Sequence, residues 1–135
     1  MLEVYSSNLD VAAGVAIPLN NVTIQKGNTA VNSAPATVQL NKCGVYMVHC
    51  DGFCTAGEAG DVTIQMTKNG LLQPQAISTF TGAAATTDTF EFNTLVQVPN
   101  NNSNCCCSSP TVLQFINNGI AVTGLHINVC VTKVC

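Results

Sequence analysis

Residues 38–70, with the sequence VQLNKCGVYMVHCDGFCTAGEAGDVTIQMTKNG, decide the fold of this chain. They contain a strand that is apolar on both faces: one face carries Gly44, Tyr46, Val48 and Cys50, and the other carries Val45 and Met47. An antiparallel strand that buries only one face alternates apolar with polar residues. Burial of both faces therefore predicts a second covering layer, and a partner subunit is a natural candidate in a chain of 135 residues.

Short apolar segments separated by Gly, Asn and Pro continue along the chain, and none shows an apolar stripe at helical spacing. The clearest hairpin signal is Asn69-Gly70, because Asn-Gly accepts the positive φ of a tight turn, and Asn117-Asn118-Gly119 marks another. Strands are predicted at residues 2–6, 10–17, 21–26, 29–32, 36–41, 43–54, 60–68, 73–81, 87–98, 111–117 and 119–134. About ten short strands without helices predict one all-β domain over residues 1–135, a β-sandwich or jelly roll. Residues 1–9 form either its first strand or an N-terminal attachment arm.

Charged side chains make up only 8% of the chain, with four lysines, no arginine and a formal net charge of −3. Binding of nucleic acid depends on clustered basic side chains that meet phosphates, and anionic lipid attracts polybasic segments. We therefore expect neither a nucleic-acid nor a membrane partner. The N-terminal residues lack the basic segment followed by an apolar run that is typical of a secretory signal. No apolar run reaches the ~18 residues of a membrane span.

The order of several segments resembles that of the C1q and tumour-necrosis-factor superfamily. Cys43-Gly44-Val45-Tyr46 resembles its Gly-Xaa-Tyr strand, and the strand that ends at Asn69-Gly70 follows at a similar distance. FEFNTLVQVPNN at residues 90–101 and LHINVCVTKV at residues 125–134 continue the resemblance, which covers residues 10–134. It implies a ten-stranded antiparallel jelly roll that forms a homotrimer around a three-fold axis, with one sheet of each subunit facing the centre.

In such a trimer Tyr46 and Val48 would face the subunit core. The residues implied to contact neighbouring subunits are Val45, Met47, His49, His126 and Asn128. The last strand has an apolar core face made by Leu125, Ile127, Val129 and Val131, and an opposite face of His126, Asn128, Cys130 and Thr132. Part of the expected interface is therefore polar.

Members of this superfamily without a stalk resemble proteins encoded beside bacteriophage capsid genes, and no collagen-like Gly-X-Y repeat occurs in this chain. The resemblance implies a non-enzymatic structural protein, a head-decoration or head-fibre component on the capsid surface of a virion. Its partners would be itself and a capsid protein, and it would be made in the bacterial host cytoplasm. The alternative is a bacterial or spore-surface module that binds glycan or protein through its apical loops.

Eight cysteines are unusual for a domain of this size, and three of them are consecutive, Cys105, Cys106 and Cys107. Three interpretations of this loop stay open: reduced or partly oxidised thiols, disulfides to another loop or subunit, and a metal site around a three-fold axis. Cys43 and Cys135, both at strand ends, can pair if the register permits. Cys50 and Cys130 are expected to point to opposite faces and not to pair.

The sequence offers no catalytic, cofactor or metal site. His49 and Cys50 are neighbours on one strand, so their side chains point apart and cannot act as a base–nucleophile pair. The cysteine and histidine spacing lacks the paired pattern of structural zinc sites. Asp51, Glu58 and Asp61 flank one loop, where a solvated loop is favoured over a Ca²⁺ site.

Overall fold

Ten strands and no helix make up the described part of this chain, which in the computed structural model comprises residues 1–99 and 106–135. The strands are β1 (Leu2–Val11), β2 (Asn21–Gln25), β3 (Ala30–Ala34), β4 (Thr37–Lys42), β5 (Gly44–Ala56), β6 (Gly60–Lys68), β7 (Leu71–Gly82), β8 (Thr87–Val98), β9 (Cys106–Asn117) and β10 (Val122–Lys133). The described residues contain no helix that is long and apolar enough to cross a bilayer.

The strands form two five-stranded antiparallel sheets. Sheet A has the order β2-β1-β10-β5-β8, and sheet B has the order β3-β4-β9-β6-β7. Consecutive strands therefore often lie in different sheets, as in a jelly roll. This arrangement confirms the predicted all-β, ten-stranded antiparallel jelly roll, with the strand at Gly44 paired to the last strand.

The core lies between the two sheets and is built by the alternation that the sequence shows. In β10 the inward side chains Leu125, Ile127, Val129 and Val131 are fully buried, and Tyr46 and Val48 of the adjacent strand β5 lie beside them on the same inner face. The hydroxyl of Tyr46 donates a hydrogen bond to the carbonyl oxygen of Lys42 at 2.6 Å. A buried tyrosine thus satisfies its polar end without leaving the apolar layer.

The backbone conformation and close contacts of Gly44 show why the Gly-Xaa-Tyr pattern requires glycine at this position. Its φ of +138° lies in a region that side chains rarely adopt, and a Cβ there would come within 2.5 Å of both Lys133 Cε and the Cys135 carbonyl oxygen. The start of β5 can approach the end of β10 only because residue 44 has no side chain.

The strand predicted at residues 10–17 is wrong. β1 ends at Val11, and the chain then turns at Gly14, whose φ is +79°, into a segment that touches β9 through a single bridge from Ala16 to Ile116. Proline at position 18 has no backbone N–H to continue a ladder.

The N-terminal residues form a strand and not a detached arm. β1 lies between β2 and β10, with Leu2 paired to Val131 and Val4 paired to Val129. Both Leu2 and Val4 are fully buried. Because these side chains belong to the core, this segment is unavailable as a flexible attachment arm.

The two Asn-Gly signals have different outcomes. Asn69 and Gly70 both have positive φ, +51° and +82°, and join β6 to β7 in a two-residue hairpin as predicted. The hairpin predicted at Asn117-Asn118-Gly119 is wrong, because this segment connects β9 in sheet B to β10 in sheet A. Asn117 is fully buried there and binds backbone groups of three segments.

Candidate functional site

The candidate site is the outer face of sheet A, which consists of the side chains of β1, β10, β5 and β8 that point away from the core. Strand register sets these side chains in rows. Tyr5, Asn128, Asp51 and Glu91 form one row across the four strands. The next row contains Glu3, Cys130, His49 and Asn93.

All five predicted interface residues lie on this face. Val45, Met47 and His49 are the outward residues of β5, and His126 and Asn128 are outward on β10. The residues that the resemblance implied therefore lie on one continuous surface of two paired strands. Contact between this surface and a neighbouring subunit stays a prediction.

An apolar pair occupies one part of the outer face. Met47 lies directly opposite Leu95 of β8, and the two side chains are 48% and 58% exposed. They line a shallow cavity of about 230 Å³ with Asn93 and Thr94. Sequence reasoning missed Leu95, although its position gave a signal: it stands among the outward polar residues of β8, Glu91, Asn93 and Gln97.

Aromatic rings form a second apolar part of the face. The Phe53 ring stacks on His126 with ring centroids 5.2 Å apart, and the Tyr5 ring lies 6.1 Å from His126 on the other side. Phe53 is 44% exposed and lines a cavity of about 520 Å³ with Asp51, Glu91 and Asn128. Tyr5 and Phe53 were not identified from sequence, because the pairing of β1 and β5 with β10 was needed to bring them to His126.

Between these apolar parts lies a polar contact centred on His49. Its Nδ1 lies 2.5 Å from Asn93 Oδ1, and its Nε2 lies 3.6 Å from Asp51 Oδ2. On the neighbouring strand the Cys130 thiol donates a hydrogen bond to Glu3 Oε2 at 3.2 Å. The outer face therefore combines apolar patches with side chains that already have polar partners.

The thiols on β5 and β10 are held in their neutral form. Burial, with the charge of Asp51, raises the pKa of Cys50 well above its usual value of 9.0. Burial and Asp88 raise the pKa of Cys54 to about 11, and burial with the hydrogen bond to Glu3 raises that of Cys130 to about 11. Since the thiolate is the nucleophile, these three cysteines are poorly suited to nucleophilic catalysis at neutral pH.

The cysteines predicted as thiol or disulfide candidates differ in burial: Cys43 is buried and Cys135 is exposed. Cys135 is an exposed thiol in this structure, and its pairing with Cys43 stays a prediction. Cys50 opposes Val129 and points inward, whereas Cys130 points outward, which confirms their predicted opposite faces. Cys105 and the side chains of Cys106 and Cys107 lie outside the described residues.

Metal-binding side chains are not gathered within residues 1–99 and 106–135: no group of three or more His, Cys, Asp or Glu side chains there has a metal-binding arrangement. The predicted loop carboxylates are dispersed. Asp51 lies on the outer face of sheet A, while Asp61 lies on β6 of sheet B and accepts a hydrogen bond from Thr81 at 2.8 Å.

The raised thiol pKa values predict a loss of stability in alkali. An unfolded thiol ionises near pH 9.0, while folded Cys54 stays protonated to about pH 11 and burial raises the pKa of folded Cys50 well above 9.0. The unfolded state then binds fewer protons, so the free energy of unfolding is undiminished below pH 9.0 and falls as pH rises toward 11 and beyond.

Urea melts between pH 8 and pH 11 measure this slope, roughly 1.4 kcal/mol per pH unit for each thiol fully ionised only on unfolding. Cys50→Ala is expected to flatten it, although the cavity lowers stability at every pH. Cys135→Ala, which removes the exposed thiol, serves as the control and should leave the slope unchanged. An unchanged slope in Cys50→Ala would contradict the assignment.

Comparison with known proteins reveals the fold. No protein-family model matches the sequence, and no curated protein matches it. Among solved structures, the chain is similar to the globular domain of zebrafish complement 1qA protein, with a TM-score of 0.72, 6% identity and coverage of 99% of this chain and 96% of that chain.

Two other solved structures are also similar to this chain over nearly its whole length. For murine APRIL the TM-score is 0.61 at 7% identity, with 98% of each chain covered. For PRD1 vertex protein P5 the TM-score is 0.55 at 16% identity, with 99% of this chain and 96% of that chain covered. With its two five-stranded sheets and these likenesses, the chain has the C1q/tumour-necrosis-factor-like jelly-roll fold.

Proposed function

We propose that this chain is a non-enzymatic structural protein that forms a homotrimer through the outer face of sheet A and decorates the capsid of a bacteriophage. The exposed Met47–Leu95 pair carries the proposal, because two large apolar side chains lie opposite each other on an open sheet face. Exposed apolar patches with polar surroundings mark sites of association.

The rest of the face supports association by a partly polar surface. The stacked Phe53 and His126 rings add apolar area, and the row of Tyr5, Asn128, Asp51 and Glu91 supplies hydrogen-bonding groups. Interfaces commonly combine an apolar centre with a polar rim and bridging water. A subunit that packs on this face would also cover the second apolar side of β5 that the sequence shows.

Placement on a virion rests on one likeness and on the sequence resemblance. The likeness is to PRD1 vertex protein P5, which covers nearly the whole of this chain. The other similar structures described above are a complement domain and APRIL, so the fold alone is compatible with a binding role. The particle and its capsid protein therefore belong to the proposal and need their own test.

The assembly is tested by replacing Met47 with glutamate. Three buried carboxylates near a three-fold axis would repel one another and lose hydration, so we expect the variant to remain folded but to become monomeric at micromolar concentration. Light scattering after size-exclusion chromatography, with reductant present, distinguishes a subunit of 14.0 kDa from three times that mass.

Leu71→Glu is the matched control, since Leu71 is 70% exposed but lies on β7 of sheet B. It introduces the same charge on the other sheet and should leave the trimer intact. A monomeric wild-type protein would refute the trimer, and equal dissociation of both variants would refute the assignment of the face.

Location is tested with antibodies raised against the folded domain. We expect them to label the surface of purified phage particles in electron microscopy, and mass spectrometry of those particles to detect the chain. Labelling confined to the bacterial or spore surface would instead support the alternative binding module.

A further inference from the structure

All four lysines of the chain lie at one end of the sandwich. Lys42 and Lys68 end β4 and β6, Lys133 ends β10, and Lys26 directly follows β2. Strand connections show that these ends coincide: Lys42 is joined to the start of β5 through Cys43, and Lys68 Nζ donates to the Gln97 carbonyl at 2.8 Å near the end of β8. We call this the lysine end.

Carboxylates occupy the opposite end. Asp10 lies near the end of β1, Glu58 lies between β5 and β6, and Asp61 and Asp88 lie at the starts of β6 and β8. The remaining three carboxylates, Glu3, Asp51 and Glu91, lie on the outer face of sheet A. Every charged side chain of the sequence lies within the described residues, so the segregation is a property of the whole chain.

The lysine charges are not neutralised within the subunit. In the described part of the chain, the only side chains within ion-pair distance of each other are His49 and Asp51, and they lie away from the lysine end. Lys26, Lys42 and Lys133 are exposed, and Lys68 is half-buried. A protein with a net charge of −3 therefore presents one strongly positive surface.

Apolar side chains are exposed among these lysines. Leu71 and Leu72 begin β7 directly after the hairpin that follows Lys68, and they are 70% and 48% exposed. Met1 and Val134, next to β1 and β10, are 43% and 50% exposed. Apolar contacts surrounded by basic side chains are suited to a protein surface that is acidic at its rim.

We propose that the lysine end docks on an acidic surface of the particle's protein shell, so that the carboxylate end points outward. This inference rests on the proposed virion location and adds the orientation and the chemistry of the partner surface. Around a three-fold axis, three copies would set three clusters of four lysines against that surface, which makes binding sensitive to salt.

Anionic lipid and nucleic acid fit this end less well than protein. Lipid recognition uses four to eight basic residues in one segment or helix, whereas these lysines come from four separate strand ends. The chain contains no arginine and no tryptophan, the side chains that favour phosphate forks and membrane interfaces.

The test uses particles that lack the protein and purified trimer added back in solution. The variant K26Q/K42Q/K133Q removes the three exposed charges but keeps polar side chains, and it spares Lys68, whose ammonium donates a hydrogen bond to the Gln97 carbonyl. D10N/E58Q/D88N, which neutralises the same number of charges at the other end, is the control. We expect the lysine variant to remain trimeric and to bind particles on the order of tenfold or more weakly, while the control binds like wild type.

Wild-type binding should also weaken between ~50 and ~200 mM NaCl, and the lysine variant should lose most of this dependence. Equal binding of all three proteins would overturn the docking inference and leave the virion location intact. Tighter wild-type binding to phosphatidylserine vesicles or to duplex DNA than to particles would overturn it in favour of those partners. If wild-type protein does not bind the particles that lack it, and antibodies also fail to label complete phage particles, both proposals are overturned.

Discussion

Replacing Gly52 with alanine is expected to separate β5 from β10 and to lower the free energy of unfolding by at least about 3 kcal/mol. A Cβ at this position would overlap the carbonyl oxygen of His126 and lie 2.8 Å from Phe90 Cζ. The obstacle is the backbone of the neighbouring strand, which cannot move away without breaking the pairing of Gly52 with Ile127. Urea denaturation of the purified protein measures the loss.

Gly124→Ala is the control from the same part of the sheet. Gly124 lies at the register shift in β10 opposite β5 and has a φ of +57°, but a Cβ there would meet no atom within 4 Å. Its cost is confined to the backbone conformation, about 1–2 kcal/mol. If the two variants lost the same stability, steric overlap at Gly52 would not be the cause.

Asn117→Ala is expected to destabilise the domain by at least about 3 kcal/mol, since each buried polar group left unpaired costs about 1–3 kcal/mol. The Asn117 amide donates to the carbonyl oxygens of Val11 and Ile120 at 3.2 and 2.7 Å, and its side-chain oxygen accepts from the Gly119 N–H at 3.2 Å. These bonds join β1, the end of β9 and the approach to β10, and thermal unfolding measures their loss.

Two further substitutions separate hydrogen bonding from packing. Asn118→Ala changes the neighbouring exposed residue, which makes one side-chain bond to Gln65, and should cost less than about 1 kcal/mol. Asn117→Asp keeps the shape but places a buried carboxylate against carbonyl oxygens, so it should be worse than alanine at neutral pH and recover as acid protonates it. Asp and Ala variants of equal stability at all pH values would contradict a hydrogen-bonding role.

Strand alternation made most of the fold predictable. β5 and β10 both carry an alternating set of apolar residues in sequence, and the structure places the set that contains Tyr46 in β5 and the set that contains Leu125 in β10 in the core. The predictions that were wrong concern segments whose conformation is set by contacts with residues far away in sequence. Residues 10–17 have the composition of a strand, but Gly14 turns the chain after Val11, and nothing in the local sequence distinguishes buried Asn117 from Asn69 of the true hairpin.

The sequence indicated only part of the candidate face, namely residues on β5 and β10. Val45, Met47 and His49 follow from parity along β5. Leu95 becomes part of the same surface because β8 flanks β5, and that neighbour relation is a property of the topology. For the same reason the lysine end is invisible in sequence, where its four lysines are spread over more than a hundred residues.

The pairing of β1 with β10 also governs the order of folding. Leu2 pairs with Val131, and β10 fills the place between β1 and β5 in sheet A. Until β10 has left the ribosome, β1 and β5 both expose strand edges that template unwanted pairing with other chains. Sheet A therefore closes only after translation of its last strand, and folding is expected to be slow because its decisive contacts span the whole chain.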